Sequence, residues 1–385
     1  MTIRFKLKVF VAAGALALAS LMGAAQAADA IKIGAVLSVT GPAGFLGDPE
    51  KKVLEHWVAK INKAGGVIGR PIELTIYDSG GSTNKAVTFT KRLVERDGVD
   101  LLIGGSISST SLAILPLAEK YEIPFISLGG AVSIIDPVRK WVFKMVHTDR
   151  MAAQKIFTEM RKNGVTKIGM LSETVGYGKS GHDQALKSAP DYGIEVVADE
   201  FYGPKDADVT PQLTKIKNTP GVQAVLTWGI GQTAALVVRN YKQLGIEMQL
   251  YHTHGIVSKS FIDLAGAAAE GLRLPAAGIV VAEQLPENDP QKKVVMAFKS
   301  EFESTFKQGV STFAGHAYDG LQIAVAAIER AGGTDKAKVR DEIEKTTGYV
   351  GTGGTVNMTP ADHLGLTLEA FHMLEIRNGE WTLSD

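Results

Sequence analysis

Hydrophobic and polar positions follow two rhythms along this chain. Short apolar, β-branched runs recur, each followed by a small-residue break and then by a segment with helical spacing. Ile31 to Leu37 is the first run. A Gly/Pro loop over 39–49 follows. A helix from about Glu50 to Lys63 then places Val53, Leu54, Trp57, Val58 and Ile61 on one face, and Ala64-Gly65-Gly66 ends it. Residues 72–77, 99–102 and 124–127 read as further strands, with helices over 84–96 and 112–121. Four strand–helix repeats predict a doubly wound parallel sheet with crossovers on both faces. Ligands of such sheets lie beyond the carboxyl ends of the strands. The loops at 39–48, 78–82, 104–111 and 128–133 are therefore expected to share one rim.

A second alternating series starts near Thr148. It reads as helix 150–163, strand 167–171, loop 172–178, helix 179–188, strand 194–200, helix 211–217, strand 224–228, helix 233–244 and strand 248–252. Two Rossmann-like units in tandem imply an α/β chain of two lobes, with 142–145 and 278–281 as candidate connecting strands. The remainder reads as helices over 290–306, 313–330 and 336–345, then a glycine-rich turn at 349–354. A last strand pattern covers 368–376, and Asn378-Gly379 is a hairpin signal leading to Trp381.

The stretch richest in candidate chemistry is Ile103-Gly104-Gly105-Ser106-Ile107-Ser108-Ser109-Thr110-Ser111. A strand that opens through small residues into a helix leaves backbone N–H groups pointing into a crevice, and the hydroxyls add donors. The loop contains no Lys or Arg, which suits one small anion held by dipoles, such as a carboxylate. The alternative is an ordinary turn whose serines cap the helix. Two enzyme-like signals are weak. Gly229-Ile230-Gly231-Gln232-Thr233-Ala234 fits a dinucleotide fingerprint, but Thr253-His254 stands where its acid belongs. His252-Thr253-His254 offers two zinc ligands with no third in register. With no nucleophile-elbow, zinc-protease or P-loop pattern, the expectation is a non-enzyme without cofactor or metal.

Composition narrows the setting. Arg4, Lys6 and Lys8, an apolar run over 9–25 and Ala25-Gln26-Ala27 make residues 1–27 an expected signal peptide cleaved after Ala27, and place the protein in the periplasm. Removing it leaves a net charge of about −3, unsuited to nucleic acid or anionic membranes. There is no cysteine, so an exported chain must rely on core packing.

Several runs together resemble the leucine/isoleucine/valine-type periplasmic binding proteins. They are Ile31-Lys32-Ile33-Gly34, Leu37-Ser38-Val39-Thr40-Gly41-Pro42, the stretch 61–70, Tyr77-Asp78, the serine loop and Tyr177-Gly178, all in order. The resemblance implies a type I binding-protein fold: two Rossmann-like lobes with parallel sheets, joined by three hinge crossovers and closing on a ligand. It places lobe 1 at 28–148 plus 279–369, and lobe 2 at 149–278 plus 370–385. It also implies a monomeric solute-binding subunit whose partners are ABC transporter permease subunits. A sensor reporting to a membrane receptor would share the fold.

By position, the resemblance assigns the ligand carboxylate to Ser108, Gly129 and Ala131, and aromatic walls to Tyr177 and Tyr318. It also exposes departures. His254 stands where amino-acid binders carry a glutamate for the ligand ammonium, Ile230 and Leu46 stand where tyrosines are usual, and Ala131 replaces a threonine. The runs 125–131 and 141–144 resemble the aromatic-acid binders of the family. The expected ligand is thus a carboxylate with an apolar or aromatic body, with Phe45, Tyr177, Trp228 and Tyr318 as walls and His254 at the rim. A branched-chain or other hydrophobic amino acid is the alternative, and Glu173 or Asp319 would rescue it by reaching the site.

Overall fold

The computed structural model describes residues 29–384, so the expected signal peptide lies outside the described residues. The first sheet contains β1 (Ile31–Leu37), β2 (Ile72–Asp78), β3 (Leu101–Gly104), β4 (Phe125–Ser127) and β5 (Val142–Lys144), all parallel in the order β2-β1-β3-β4-β5. The second contains β6 (Lys167–Glu173), β7 (Glu195–Tyr202), β8 (Ala224–Trp228), β9 (Gln249–His252) and β10 (Arg273–Ala277). A two-stranded ribbon, β11 (Tyr349–Val350) and β12 (Thr355–Val356), lies apart. The chain then returns to the second sheet as β13 (Phe371–Arg377) and β14 (Glu380–Leu383), giving the order β14-β13-β10-β9-β8-β6-β7. From β7 to β10 this repeats the strand order of the first sheet. Each sheet therefore has its own switch point, between β1 and β3 and between β6 and β8, where the strand order reverses and a crevice opens.

The central strands are apolar on both faces because helices cover both. β1 and β8 are almost wholly buried. The helices are α1 (Gly44–Lys63), α2 (Thr83–Arg92), α3 (Ser108–Lys120), α4 (Asp149–Lys162), α5 (Gly176–Ser188), α6 (Thr210–Asn218), α7 (Gly231–Gln243), α8 (Lys259–Ala265), α9 (Lys292–Phe306), α10 (Thr312–Ala331) and α11 (Lys336–Glu344). Among the described residues no helix is long and apolar enough to cross a membrane. Among the described residues the chain passes between the sheets three times: after β5, after β10, and from β12 into β13.

Several expectations shift. The second sheet is not parallel throughout. β13 runs antiparallel to β10, and β14 to β13, through the Asn378-Gly379 turn with both residues at positive φ, as a tight hairpin requires. Residues 278–281 are 3₁₀ turns rather than a strand. The strand of that passage lies earlier, in Arg273–Ala277, where Pro275 and small side chains hide the β signal. Helix α1 begins at Gly44, inside the stretch read as a loop, and tolerates Pro49. Gly47 lets it sit on the end of β1, because a Cβ there would lie 2.3 Å from the Ser38 carbonyl.

The four loops of the first sheet do meet. Asp78 accepts from the Val39 N–H at 2.9 Å, the Thr40 N–H at 3.2 Å, the Thr40 hydroxyl and the Gly80 N–H. The Leu128 N–H donates to the Gly104 carbonyl at 2.8 Å.

Candidate functional site

The two switch points face each other, and the cleft lies between them. Three helices begin at its walls: α3 after β3, α5 after β6 and α7 after β8. Their N-cap residues are Ile107, Val175 and Ile230, extended and apolar, and none gives a side-chain cap. Ser82, Thr148, Ser258 and Ser311 do cap α2, α4, α8 and α10. The serine-capping alternative for the 106–111 loop is therefore overturned. Ser108 is the first helical residue, and Thr110 donates back to the Ile107 carbonyl. Helix N-termini left open in this way carry unpaired N–H groups and partial positive charge, which suit an anion.

An inner cavity is lined from lobe 1 by Leu46, Ile107, Leu128, Val146 and Phe313, with Ser106, Ser108 and Gly130 among them. Lobe 2 contributes Tyr177, Ile230, His254 and Gly255. This small, mostly apolar space fits a compact ligand body. It opens into a vestibule of about 270 Å³ that shares Ile107, Ser108, Tyr177 and Ile230 and adds Ser109, Glu173 and Lys205.

The predicted residues separate into those the cleft gathers and those it does not. Ser108 is buried at the wall of both spaces, and its Oγ accepts the Ala131 N–H at 3.0 Å. That leaves the Ser108 hydroxyl proton for a ligand, while the Ala131 donor is already engaged. Gly129 lies behind the wall. Its N–H donates to Ser127 Oγ at 3.1 Å, in a chain that runs through Ser111 to the Gly105 carbonyl, and its neighbour Gly130 lines the cavity instead. Tyr177 and His254 stand together, with the Tyr177 hydroxyl 3.1 Å from His254 Nδ1. Burial, followed by the nearby Lys144 and His316, holds His254 well below the ordinary histidine range, so the ring is neutral. Burial raises the Tyr177 phenol well above its usual range.

Three expected walls need correction. Trp228 is fully buried beneath Tyr177, edge-on at 5.9 Å, and supports the wall without lining it. Tyr318 packs on Trp57 and Phe298 in the lobe 1 core. On α10 it is Phe313, five positions earlier, that lines the cavity. At about 100° per residue the two point some 140° apart. Phe45 stands outside the inner cavity, edge-on to Phe313 at 5.6 Å, at a lip shared with Gly231 and Phe261.

The acids also sort. Asp319 accepts from the Thr352 N–H, the Thr352 hydroxyl, the Gly353 N–H and the Tyr349 hydroxyl at 2.9–3.1 Å, and it lines neither space. Glu173 ends β6 in the vestibule, on the wall opposite Ser108. It is buried, and burial alone pushes its carboxyl up to about 7. Of the two acids that would rescue an amino-acid ligand, Glu173 therefore reaches the vestibule and Asp319 does not. His252 and His254 do not form a zinc site: His252 turns into lobe 2 near Phe261, and among the described residues no cluster could hold a metal.

The lobes are in contact around this cleft. A Cβ on Gly231 would lie 3.1 Å from the Pro42 carbonyl, and one on Gly176 would lie 3.6 Å from Ser109. The ring of Tyr177 fills a slot whose far side is Gly130, where a Cβ would come within 2.8 Å of it. Gly130→Ala is expected to hold the lobes apart and weaken ligand binding about tenfold or more, the cost of overpacking a tight contact. Small-angle scattering should show a larger radius of gyration than wild type, and an unchanged radius would refute the slot.

The comparisons agree with this architecture. The family model described as periplasmic binding protein matches residues 30–379. A leucine-, isoleucine-, valine-, threonine- and alanine-binding protein of Pseudomonas aeruginosa is 30% identical over 344 residues, covering 88% of each chain. An extracellular ligand-binding receptor from Rhodopseudomonas palustris HaA2 superposes with a TM-score of 0.86 at 28% identity, over 92% of this chain and 99% of that one. The branched-chain amino acid transporter substrate-binding protein LivJ of Streptococcus pneumoniae, solved with isoleucine, has a TM-score of 0.80 at 23% identity, over 91% and 97% of the two chains, and shares the fold. This chain belongs to the periplasmic binding protein family.

Proposed function

We propose that this protein is the solute-binding subunit of an ABC importer and takes a small hydrophobic amino acid by hinge closure. The observation that carries this reading is the pairing of Ser108 and Glu173 on opposite walls of one vestibule, one from each lobe. The open N-terminus of α3 and the Ser108 hydroxyl receive the α-carboxylate. Glu173 receives the ammonium, which needs a carboxylate wherever water is scarce. The apolar inner cavity takes the side chain, with neutral Tyr177 and His254 closing over it.

A ligand that touches both lobes favours the closed state by those extra contacts, and a membrane permease reading the closed shape would be its partner. The relative that binds leucine, isoleucine, valine, threonine and alanine supports a ligand of this size. The amine-free aromatic carboxylate remains the rival, and it rests on His254 standing where amino-acid binders carry a glutamate. Calorimetric titration with leucine, isoleucine and valine beside benzoate tests the choice. Binding of the amino acids alone supports the proposal, and binding of benzoate alone overturns it. Ser108→Ala is expected to weaken the bound amino acid by about 1–3 kcal/mol, because it removes a hydroxyl donor and strands the Ala131 N–H. Unchanged affinity in the same titration would remove Ser108 from the site.

A further inference from the structure

Behind the serine loop lies a second acid. Glu50 stands on α1 with a side chain 1% exposed. Among the described residues no cation pairs with it. Its hydrogen bond comes from the Ser106 hydroxyl, at 2.5 Å. Ser106 Oγ accepts the Ser38 N–H at 2.9 Å, and Ser38 Oγ lies 3.3 Å from Ser79 Oγ. One carboxyl is thus linked to the ends of β1, β2 and β3, the strands around the switch point of the first sheet. Ser106 lines the inner cavity two positions before Ser108.

A bare carboxylate here would face one hydroxyl dipole with its side chain almost wholly removed from solvent, and burying such a charge costs far more than one hydrogen bond returns. Burial accordingly pushes the Glu50 carboxyl well above its usual range, and the Ser106 bond offsets only part of this. A protonated acid keeps an acceptor for Ser106 and adds no negative charge behind the loop that faces the ligand head group.

We propose that Glu50 is a positioning residue for carboxylate recognition, a neutral buried acid that fixes Ser106 and the loop bearing Ser108 without repelling the ligand. The proposal rests on the reading of Ser108 as the carboxylate site. Its consequence is asymmetric. Glutamine, neutral and of the same shape, should replace glutamate, whereas alanine should not. Ionisation at high pH should act against binding in the wild type and leave the glutamine variant untouched.

The test is calorimetric titration of leucine into wild type, Glu50→Gln and Glu50→Ala at about pH 7 and about pH 9, with the glutamine variant controlling for deprotonation of the ligand amine. Glu50→Gln should bind within about threefold of wild type at the lower pH and Glu50→Ala about tenfold or more weaker, the cost of leaving the Ser106 hydroxyl proton without an acceptor. Wild type should lose more affinity than Glu50→Gln at the higher pH. The infrared difference spectrum of unliganded wild type minus Glu50→Gln should show the carbonyl stretch of a protonated carboxylic acid, and this readout holds even where Glu50→Ala does not fold. Equal affinity of all three proteins, equal loss in both variants, or a carboxylate band in place of the acid band would overturn the proposal. If wild type binds no leucine while the acid band is present, the failure belongs to the ligand reading and not to the state of Glu50.

Discussion

Glu173→Gln is expected to cost amino-acid binding about a hundredfold or more. Glutamine keeps the shape of the side chain and removes its charge. An ammonium enclosed by two closing lobes then loses its counter-charge, a loss worth about 3–5 kcal/mol for a buried pair. The vestibule is partly open, so the lower end of that range is the better guide. The fold should be unaffected, because among the described residues no group is hydrogen-bonded to this carboxylate. Its pH dependence is distinctive. In the unliganded cleft burial raises Glu173 to about 7, so below that pH the group is protonated and must release its proton to pair with an ammonium. Affinity should fall with acidification, by up to about tenfold per pH unit below 7, with proton release on binding seen by calorimetry in buffers of different ionisation enthalpy. Glu173→Gln should show neither effect. A variant that binds as tightly as wild type would place the ammonium elsewhere or remove it from the ligand.

The largest loss of stability is expected at Asp319. Its carboxyl gathers four donors from Tyr349, Thr352 and Gly353 and fixes the glycine-rich ribbon before the third passage between lobes. Asp319→Ala leaves these donors, most of them buried, without their acceptor, at about 1–3 kcal/mol for each stranded group. A loss of several kcal/mol is thus expected on thermal or denaturant unfolding, with Asp319→Asn intermediate because it retains one acceptor oxygen. Burial raises the folded carboxyl to about 6, above its unfolded value. The folded state therefore holds this proton more tightly. That contribution is complete below about pH 4 and is lost as pH rises through about 6. The difference in stability between wild type and Asp319→Asn should vary with pH across that window. A melting temperature for Asp319→Ala within a degree or two of wild type would show that the network is not structural.

The parts of the fold most legible in sequence were those where one rhythm dominated. Ile31–Leu37 and Ala224–Trp228 are continuous apolar runs because both faces of the sheet are covered, and they emerged as strands near their true bounds. Arg273–Ala277 was illegible because its burial comes from position between β9 and β13, not from β-branched residues. The start of α1 was hidden by Gly44, Gly47 and Pro49, which serve close packing on Ser38 there rather than a loop.

At the site, the strand-end rule pointed to the serine loop of Ser108 and the resemblance named Tyr177 and His254, and the cleft gathers all three. The resemblance misplaced Tyr318, because helical phase along α10 decides which aromatic faces the cleft, and that is Phe313. It also underrated Glu173, because at the last residue of β6 alternation cannot say whether a side chain enters the core or the vestibule. The shape of three apolar N-caps, Ile107, Val175 and Ile230, was present in the sequence. It is the signal that would have separated open helix ends from capped ones.

The central claim is that one cleft holds both charges of an amino acid. Leucine and 4-methylpentanoate, the same carbon frame without the amine, distinguish this most directly when titrated into the purified protein by calorimetry. Leucine should bind at least about a hundredfold more tightly, by the worth of the Glu173 pairing. Equal affinity, or preference for the amine-free acid, would contradict the account.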